Sequence, residues 1–124
     1  MKNGIRWNLR GEIAELMFCQ KALELGWEVC KPLADLYGYD FIAKVDEVWK
    51  RCQVKTVKLW EKRPGYFYKV CDFTYGRRKE PIADLFDYLV VVDIVDGAIY
   101  MIPVDDITGT RYITITDYHK KYKL

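Results

Sequence analysis

Four polar side chains stand in segments whose pattern otherwise asks for apolar residues: Glu15 in a helical stretch, Asp40 in YDFIA, and Gln53 with Lys55 in CQVKT. If the polar break Asp46-Glu47 is the two-residue loop of a hairpin, pairing sets Asp40 opposite Gln53. Lys55, two residues on, then shares their face. A one-residue bulge would break that register. An acid, an amide oxygen and an ammonium within reach of one another suit metal-assisted phosphodiester hydrolysis. A hard magnesium ion takes oxygen ligands, one or two of them carboxylates, and keeps waters that a substrate can displace. It polarises the phosphoryl group and lowers the pKa of a bound water, while a lysine orients that water or steadies the developing charge. Asp40 is the natural ligand and Gln53 offers a neutral oxygen. A plainer role is open to the same residues, with Asp40 and Lys55 as a cross-strand ion pair and Gln53 as an exposed edge residue. Glu15 shares its side of the helix with Cys19 and Ala22, and partly with Glu12. On a buried helix its carboxylate needs a cationic partner or a metal; on a solvent-facing side both glutamates are ordinary surface residues.

The elements that must position these groups follow from periodicity and punctuation. Asn8 to Leu25 reads as a helix closed by Gly26, with apolar residues over most of its circumference, which predicts deep burial. WEVCKPL is a short strand stopped by Pro32. YGYDFIAKV and VWKRCQVKTV flank the Asp46-Glu47 break as a hairpin, and GYFYKVCDF is a fourth, aromatic-rich strand. Pro81 opens a helical turn, PIADLF, before DYLVVVDIV, a turn at Asp96-Gly97, and AIYMIPV. RYITIT is a late edge strand ahead of a basic tail. Helix, three-stranded meander, strand, short helix and strand pair together describe an α/β or α+β fold around a central mixed sheet.

Composition limits the class. With 124 residues and 51% hydrophobic content the chain is expected to form a single domain over residues 1–124, with a core that needs no staple. Cys19, Cys30, Cys52 and Cys71 form no CxxC pair and His119 is the only histidine, so no zinc site is expected and all four thiols are expected buried. No apolar run approaches the length of a membrane span, and the charged start lacks a signal-peptide pattern, which predicts a soluble, reduced, cytoplasmic protein without membrane attachment. The 20 Lys and Arg against 18 Asp and Glu leave a net charge of only +2. The cations nevertheless cluster, at Lys58, Lys62 and Arg63, at Arg77, Arg78 and Lys79, and at Lys120, Lys121 and Lys123. Such clusters suit phosphate contacts or, equally, solvated loops.

The run RGEIAELMFCQKALELGWEVCKPLADLYGYDFIAKVDEVWKRCQVKT resembles the PD-(D/E)XK nuclease superfamily. Within it, the pattern is closest to the group I intron-associated, homing-type endonucleases, with a G-x-x-A-E helix, a G-x-x-V-x-x-P strand, Y-D, and Q-V-K-T. The later DYLVVVDIVDGAIYMIPVDD is similar to that group's D-Y, strand, turn and Y-x-I-P segment. The resemblance implies a restriction-endonuclease-like core with helices flanking the central mixed sheet. It implies Glu15 as the helix-borne acid, Asp40 as central metal ligand, Gln53 in place of the usual acid, Lys55 as the motif's lysine, and the Val54 carbonyl as a further ligand. The implied cofactor is magnesium, with manganese as a substitute, and the implied substrate is DNA, cut to leave a 5′-phosphate. Arg77, Arg78, Lys79, Lys120 and Lys121 are then candidates for phosphate contacts, which position but do not specify sequence. One site per domain against two strands per duplex predicts a homodimer or tetramer, with the tyrosines and AIYMI as candidate interface. More distantly the pattern resembles archaeal Holliday junction resolvases. A non-catalytic DNA-binding or assembly subunit that keeps the fold is the alternative from another class, and an RNA-directed nuclease is not separable from these. No segment reads as a base-recognition element.

Overall fold

The described strands join into one seven-stranded sheet organised along a single long strand. In chain order the elements are α1 (Arg10–Glu24), β1 (Glu28–Cys30), β2 (Phe41–Val45), β3 (Val48–Arg63), β4 (Tyr66–Asp72), the one-turn helix α2 (Ile82–Leu85), β5 (Tyr88–Val92) and β6 (Ile99–Pro103). A 3-10 turn at Val104–Asp106, β7 (Tyr112–Ile115) and a 3-10 helix, Asp117–Tyr122, complete the chain. The computed structural model describes residues 6, 9–34, 38–73, 81–107 and 111–124.

The β2–β3 hairpin turns through Asp46 (φ 47°) and Glu47 (φ 66°). Two successive left-handed residues match the twist of the flanking strands. They fix an unbulged register, with Phe41 opposite Cys52 and Val45 opposite Val48, as the sequence predicts. On its other edge β3 runs parallel to β5, from Cys52 opposite Tyr88 to Thr56 opposite Val92, and β5 pairs antiparallel with β6. From Val57 onward β3 exchanges β2 for β4, with β7 outside β4. The sheet is therefore mixed, and β3 is longer than its hydrophobic pattern suggests. KLWEKR, which reads as a connection, continues the strand.

Apolar side chains fill both faces. Ala14, Phe18 and Ala22 of α1 pack on Phe41, Ala43, Cys52, Val54, Val90 and Val92, with the Phe18 and Phe41 rings 5.9 Å apart. Opposite them lie Val57, Cys71, Phe73, Phe86, Leu89, Val91 and Ile102. Covered on both faces, β5 has the continuous apolar run of a central strand.

Several expectations are corrected. Helix α1 buries one stripe, Ala14, Phe18 and Ala22, while Leu16 and Leu23 are 70% and 65% exposed. A helix resting on one sheet hides only the side that touches it. Cys52 and Cys71 are buried, but Cys19 is half-buried and Cys30 exposed at the edge strand. In AIYMI, Ala98, Ile99, Met101 and Ile102 are buried in the cores, so this strand does not present an apolar interface. The basic C-terminal segment is not a loose tail. Thr116 and His119 cap the closing 3-10 helix reciprocally, the Thr116 N–H donating to His119 Nδ1 at 3.1 Å. Leu124 packs against the α1-side core. Among the described residues no helix is long and apolar enough to cross a membrane.

Candidate active site

The site lies where β3 changes partners. The β2 ladder ends at Phe41 opposite Cys52, and the β4 ladder starts at Val57 opposite Cys71. Between these points one edge of β3 has no strand partner among the described residues. The Asp40 N–H donates to the Cys52 carbonyl at 2.8 Å, so even-numbered residues there direct their backbone groups to this edge. Val54 is the next such residue. Its N–H donates to Asp40 Oδ2 at 2.8 Å, so the carboxylate replaces the missing ladder bond. In an extended strand the carbonyl of Val54 points the same way as its N–H, into the gap that Asp40 borders.

Asp40 is held there by its approach. Gly38, two residues earlier, passes so close to α2 that an added Cβ would lie 2.6 Å from Leu85 Cβ. Only glycine lets the chain reach β2 along this path. On the other edge of β3, Arg51 fixes the parallel register. Its N–H donates to Asp87 Oδ2 at 2.7 Å, and its guanidinium reaches Asp87 Oδ1 at 3.2 Å and the Asp84 carbonyl at 2.8 Å. Burial alone would raise the Asp87 carboxyl, but the hydrogen bonds and charge of Arg51 outweigh it and hold the group below the usual carboxylate range. This clamp sits two residues before Gln53 in the strand.

Glu15, Asp40, Gln53, Val54 and Lys55 line one cleft of about 470 Å³. Three separate parts of the chain thus line one cleft: the hairpin register brings Asp40 to Gln53 and Lys55, and α1 adds Glu15. Gln53 is 7% exposed, which removes its reading as an exposed edge residue. Glu15 enters from the first half of α1, with Lys31 Nζ 3.7 Å from its Oε1. Its carboxyl is pushed above the usual range, first by burial and then by the negative charge of Asp40, against the opposing pull of Lys31. Burial also raises the Cys19 thiol, helped by the charge of Glu15, and pushes Cys52 and Cys71 up to about 12, so the two buried thiols are inert packing groups.

The donor set suits a hard cation. Among the described residues no three His, Cys, Asp or Glu side chains cluster in a metal-binding arrangement. The cleft is instead lined by the carboxylates of Glu15, Asp40 and Asp72, the Gln53 amide and the backbone of Val54. An all-oxygen set with few carboxylates fits magnesium or manganese and not zinc.

Four further residues line the cleft: Gly11 at the start of α1, Thr56 and Lys58 on β3 and Asp72 at the end of β4. Lys58 was visible only as one of a basic cluster, and Asp72 carries no local signal because the β3–β4 pairing alone brings it there. Lys120 and Lys121 are not among the cleft-lining residues. Lys120 Nζ pairs with Asp117 at 3.3 Å, and Lys121 Nζ lies 3.7 Å from the centre of the Tyr118 ring. Arg77, Arg78 and Lys79 fall outside the described residues.

Comparison with known proteins gives a consistent result. A family model described as PD-(D/E)XK endonuclease matches residues 6–122. Among solved structures the chain is similar to a bacterial homing endonuclease, I-Ssp6803I. The TM-score is 0.75 at 28% sequence identity, and the match covers 95% of this chain and 86% of that one. No curated protein matches.

Proposed function

Because the chain belongs to the PD-(D/E)XK endonuclease family, we propose that it is a magnesium-dependent DNA endonuclease of homing or restriction-like type, acting as one domain over residues 1–124 with manganese as a substitute ion. The observation that carries this reading is the convergence of Glu15, Asp40, Gln53 and Lys55 on one cleft at the open edge of β3. Asp40, Gln53, the Val54 carbonyl and Glu15 are the groups that would hold the ion, which supplies a Lewis acid for the phosphoryl group and a bound water of lowered pKa.

The remaining chemistry belongs to the chain. Asp40 is held by the Val54 N–H before substrate arrives, so its carboxylate needs no reorganisation. Glu15 and Asp40 repel one another, and a bound cation relieves that repulsion, which favours occupancy of the cleft. Lys55 orients the attacking water and offsets charge developing on the phosphoryl oxygens. The water oxygen bonds to phosphorus in line with the leaving O3′, its proton departs to solvent, and the P–O3′ bond breaks as O3′ takes a proton from a solvent water. A 5′-phosphate and a 3′-hydroxyl result. Cutting both strands of a duplex requires two such sites, so the working form is a homodimer or tetramer.

The test is incubation of the purified protein with supercoiled plasmid and with a synthetic four-way junction, in magnesium, manganese or chelator. Metal-dependent cutting of plasmid supports the reading. Cutting confined to the junction moves the protein to the resolvases. Absence of cutting in both, together with no calorimetric metal binding, leaves a DNA-binding or assembly subunit.

A further inference from the structure

Beyond the cleft, β3 and β4 continue as a narrow ribbon. The β7 strand pairs with β4 only from Lys69 to Asp72, so Trp60–Arg63 and Tyr66–Tyr68 form a two-stranded extension among the described residues. Its tip turns through Gly65 at φ 81°, a conformation that suits glycine after Pro64. Most side chains on this extension are exposed and aromatic or basic: Tyr66 and Phe67 stand in solvent, and the partly exposed Trp60 ring tilts against that of Tyr112 with centres 5.4 Å apart. Lys62 Nζ lies 4.9 Å from the centre of the Tyr68 ring, and the Arg63 guanidinium 3.9 Å from that of Tyr66. These stacks hold the cations along the ribbon and limit the entropy lost when they meet a ligand.

We propose that this ribbon enters the major groove of the duplex beside the cut site, an inference that rests on the endonuclease reading and names the element that holds the substrate. Three observations converge on this occupant. The first is continuity. Lys58 and Trp60 share one face of β3, Lys62 follows at the irregularity between Glu61 and Arg63, and Lys58 itself lines the cleft, so the ribbon begins where the scissile phosphate would lie. The second is size. A major groove roughly 12 Å wide admits a two-stranded ribbon, and Lys58 to Arg63 spans about 16 Å of strand, about five base steps. The third is charge. Along β3 from Lys58 to Arg63, three cations stand against the single carboxylate of Glu61, a net +2. Cations interleaved with exposed aromatic groups suit a polyanion with stacked bases, whereas burying them against a second protein would strip their hydration without a matching anion.

The test is duplex binding in chelator, where affinity does not depend on cutting. Fluorescence anisotropy on a labelled mixed-sequence duplex, repeated across salt, compares the intact protein with Lys62→Ala/Arg63→Ala and with Trp60→Ala. A duplex with glucosylated hydroxymethylcytosine fills the major groove, and distamycin fills the minor. The double variant is expected to lower the slope of log affinity against log salt by about 2, one for each lost phosphate contact. Glucosylation is expected to weaken the intact protein at least tenfold, with no effect of distamycin. Unchanged slope and affinity in the double variant, inhibition by distamycin alone, or a change of oligomer on gel filtration of Trp60→Ala would each overturn the proposal. Circular dichroism of the variants separates these outcomes from misfolding. A protein that binds through the ribbon but cuts nothing would fail the endonuclease reading and not this one.

Discussion

Replacing Asp40 separates two jobs that one carboxylate performs. Its Oδ2 accepts the Val54 N–H at 2.8 Å, and its charge raises the proton affinity of Glu15. Asp40→Ala removes both. A lost hydrogen bond to a charged group costs about 1.5–3 kcal/mol when the orphaned donor stays buried, and less when water replaces it. Because the Val54 N–H faces an open cleft, about 1–2 kcal/mol is expected, a fall in Tm of about 3–8 °C for a chain of this size. Asp40→Asn keeps an oxygen for Val54 and removes the charge, so its Tm is expected within about 2 °C of the parent. Both variants are expected to lose metal-dependent cutting, because each removes a carboxylate charge from a cleft whose remaining proposed ligands are mostly neutral oxygens. Thermal unfolding in chelator, read beside plasmid cutting, makes the comparison. An Asn variant that cuts like the parent would reduce Asp40 to a backbone fastening, and an Ala variant as stable as the parent would remove the structural half of the reasoning.

Other consequences follow from the same geometry. Glu15 binds its proton more tightly in the folded chain, so the stability linked to that proton is present below the unfolded pKa and fades as pH rises through the folded one. In metal-free buffer, Glu15→Gln should therefore be more stable than the parent near pH 7 by under about 1 kcal/mol, given a partly exposed side chain, with the gain vanishing near pH 4 by urea unfolding. Phe18 is fully buried between α1 and the sheet, and Phe18→Ala should cost about 3–5 kcal/mol by the same measurement. Arg51→Ala should cost about 1–2 kcal/mol near neutral pH. That cost should shrink as pH falls through the folded-state pKa of Asp87, because a depressed carboxyl contributes above its unfolded pKa and loses the contribution on protonation.

Much of this site was legible because it is local. The two-residue Asp46-Glu47 turn determines the hairpin register, and the register alone sets Asp40 beside the Gln53–Lys55 segment. Glu15 was legible only through the resemblance, since its place in the helix left it open between a site acid and a surface residue. Lys58 and Asp72 were not, because their meeting depends on the partner exchange of β3, which no local pattern encodes. The over-reading of α1 has the opposite cause. Leu16 and Leu23 follow helical spacing as faithfully as Phe18, but the number of faces a helix covers is set by what packs around it. KLWEKR looked like a loop because neither of its faces is buried, yet backbone pairing with YFY makes it a strand.

The most direct test of the central claim, that this cleft is where phosphodiesters are cut, is plasmid nicking by Lys55→Ala beside the parent protein, at matched DNA affinity and matched unfolding temperature. Lys55 lines the cleft without supplying a metal ligand in the proposed scheme. The variant is therefore expected to bind DNA and magnesium as the parent does while cutting about 10²–10³-fold more slowly, the usual loss when one charge-stabilising group is removed. Cutting at the parent rate would place the chemistry elsewhere in the molecule.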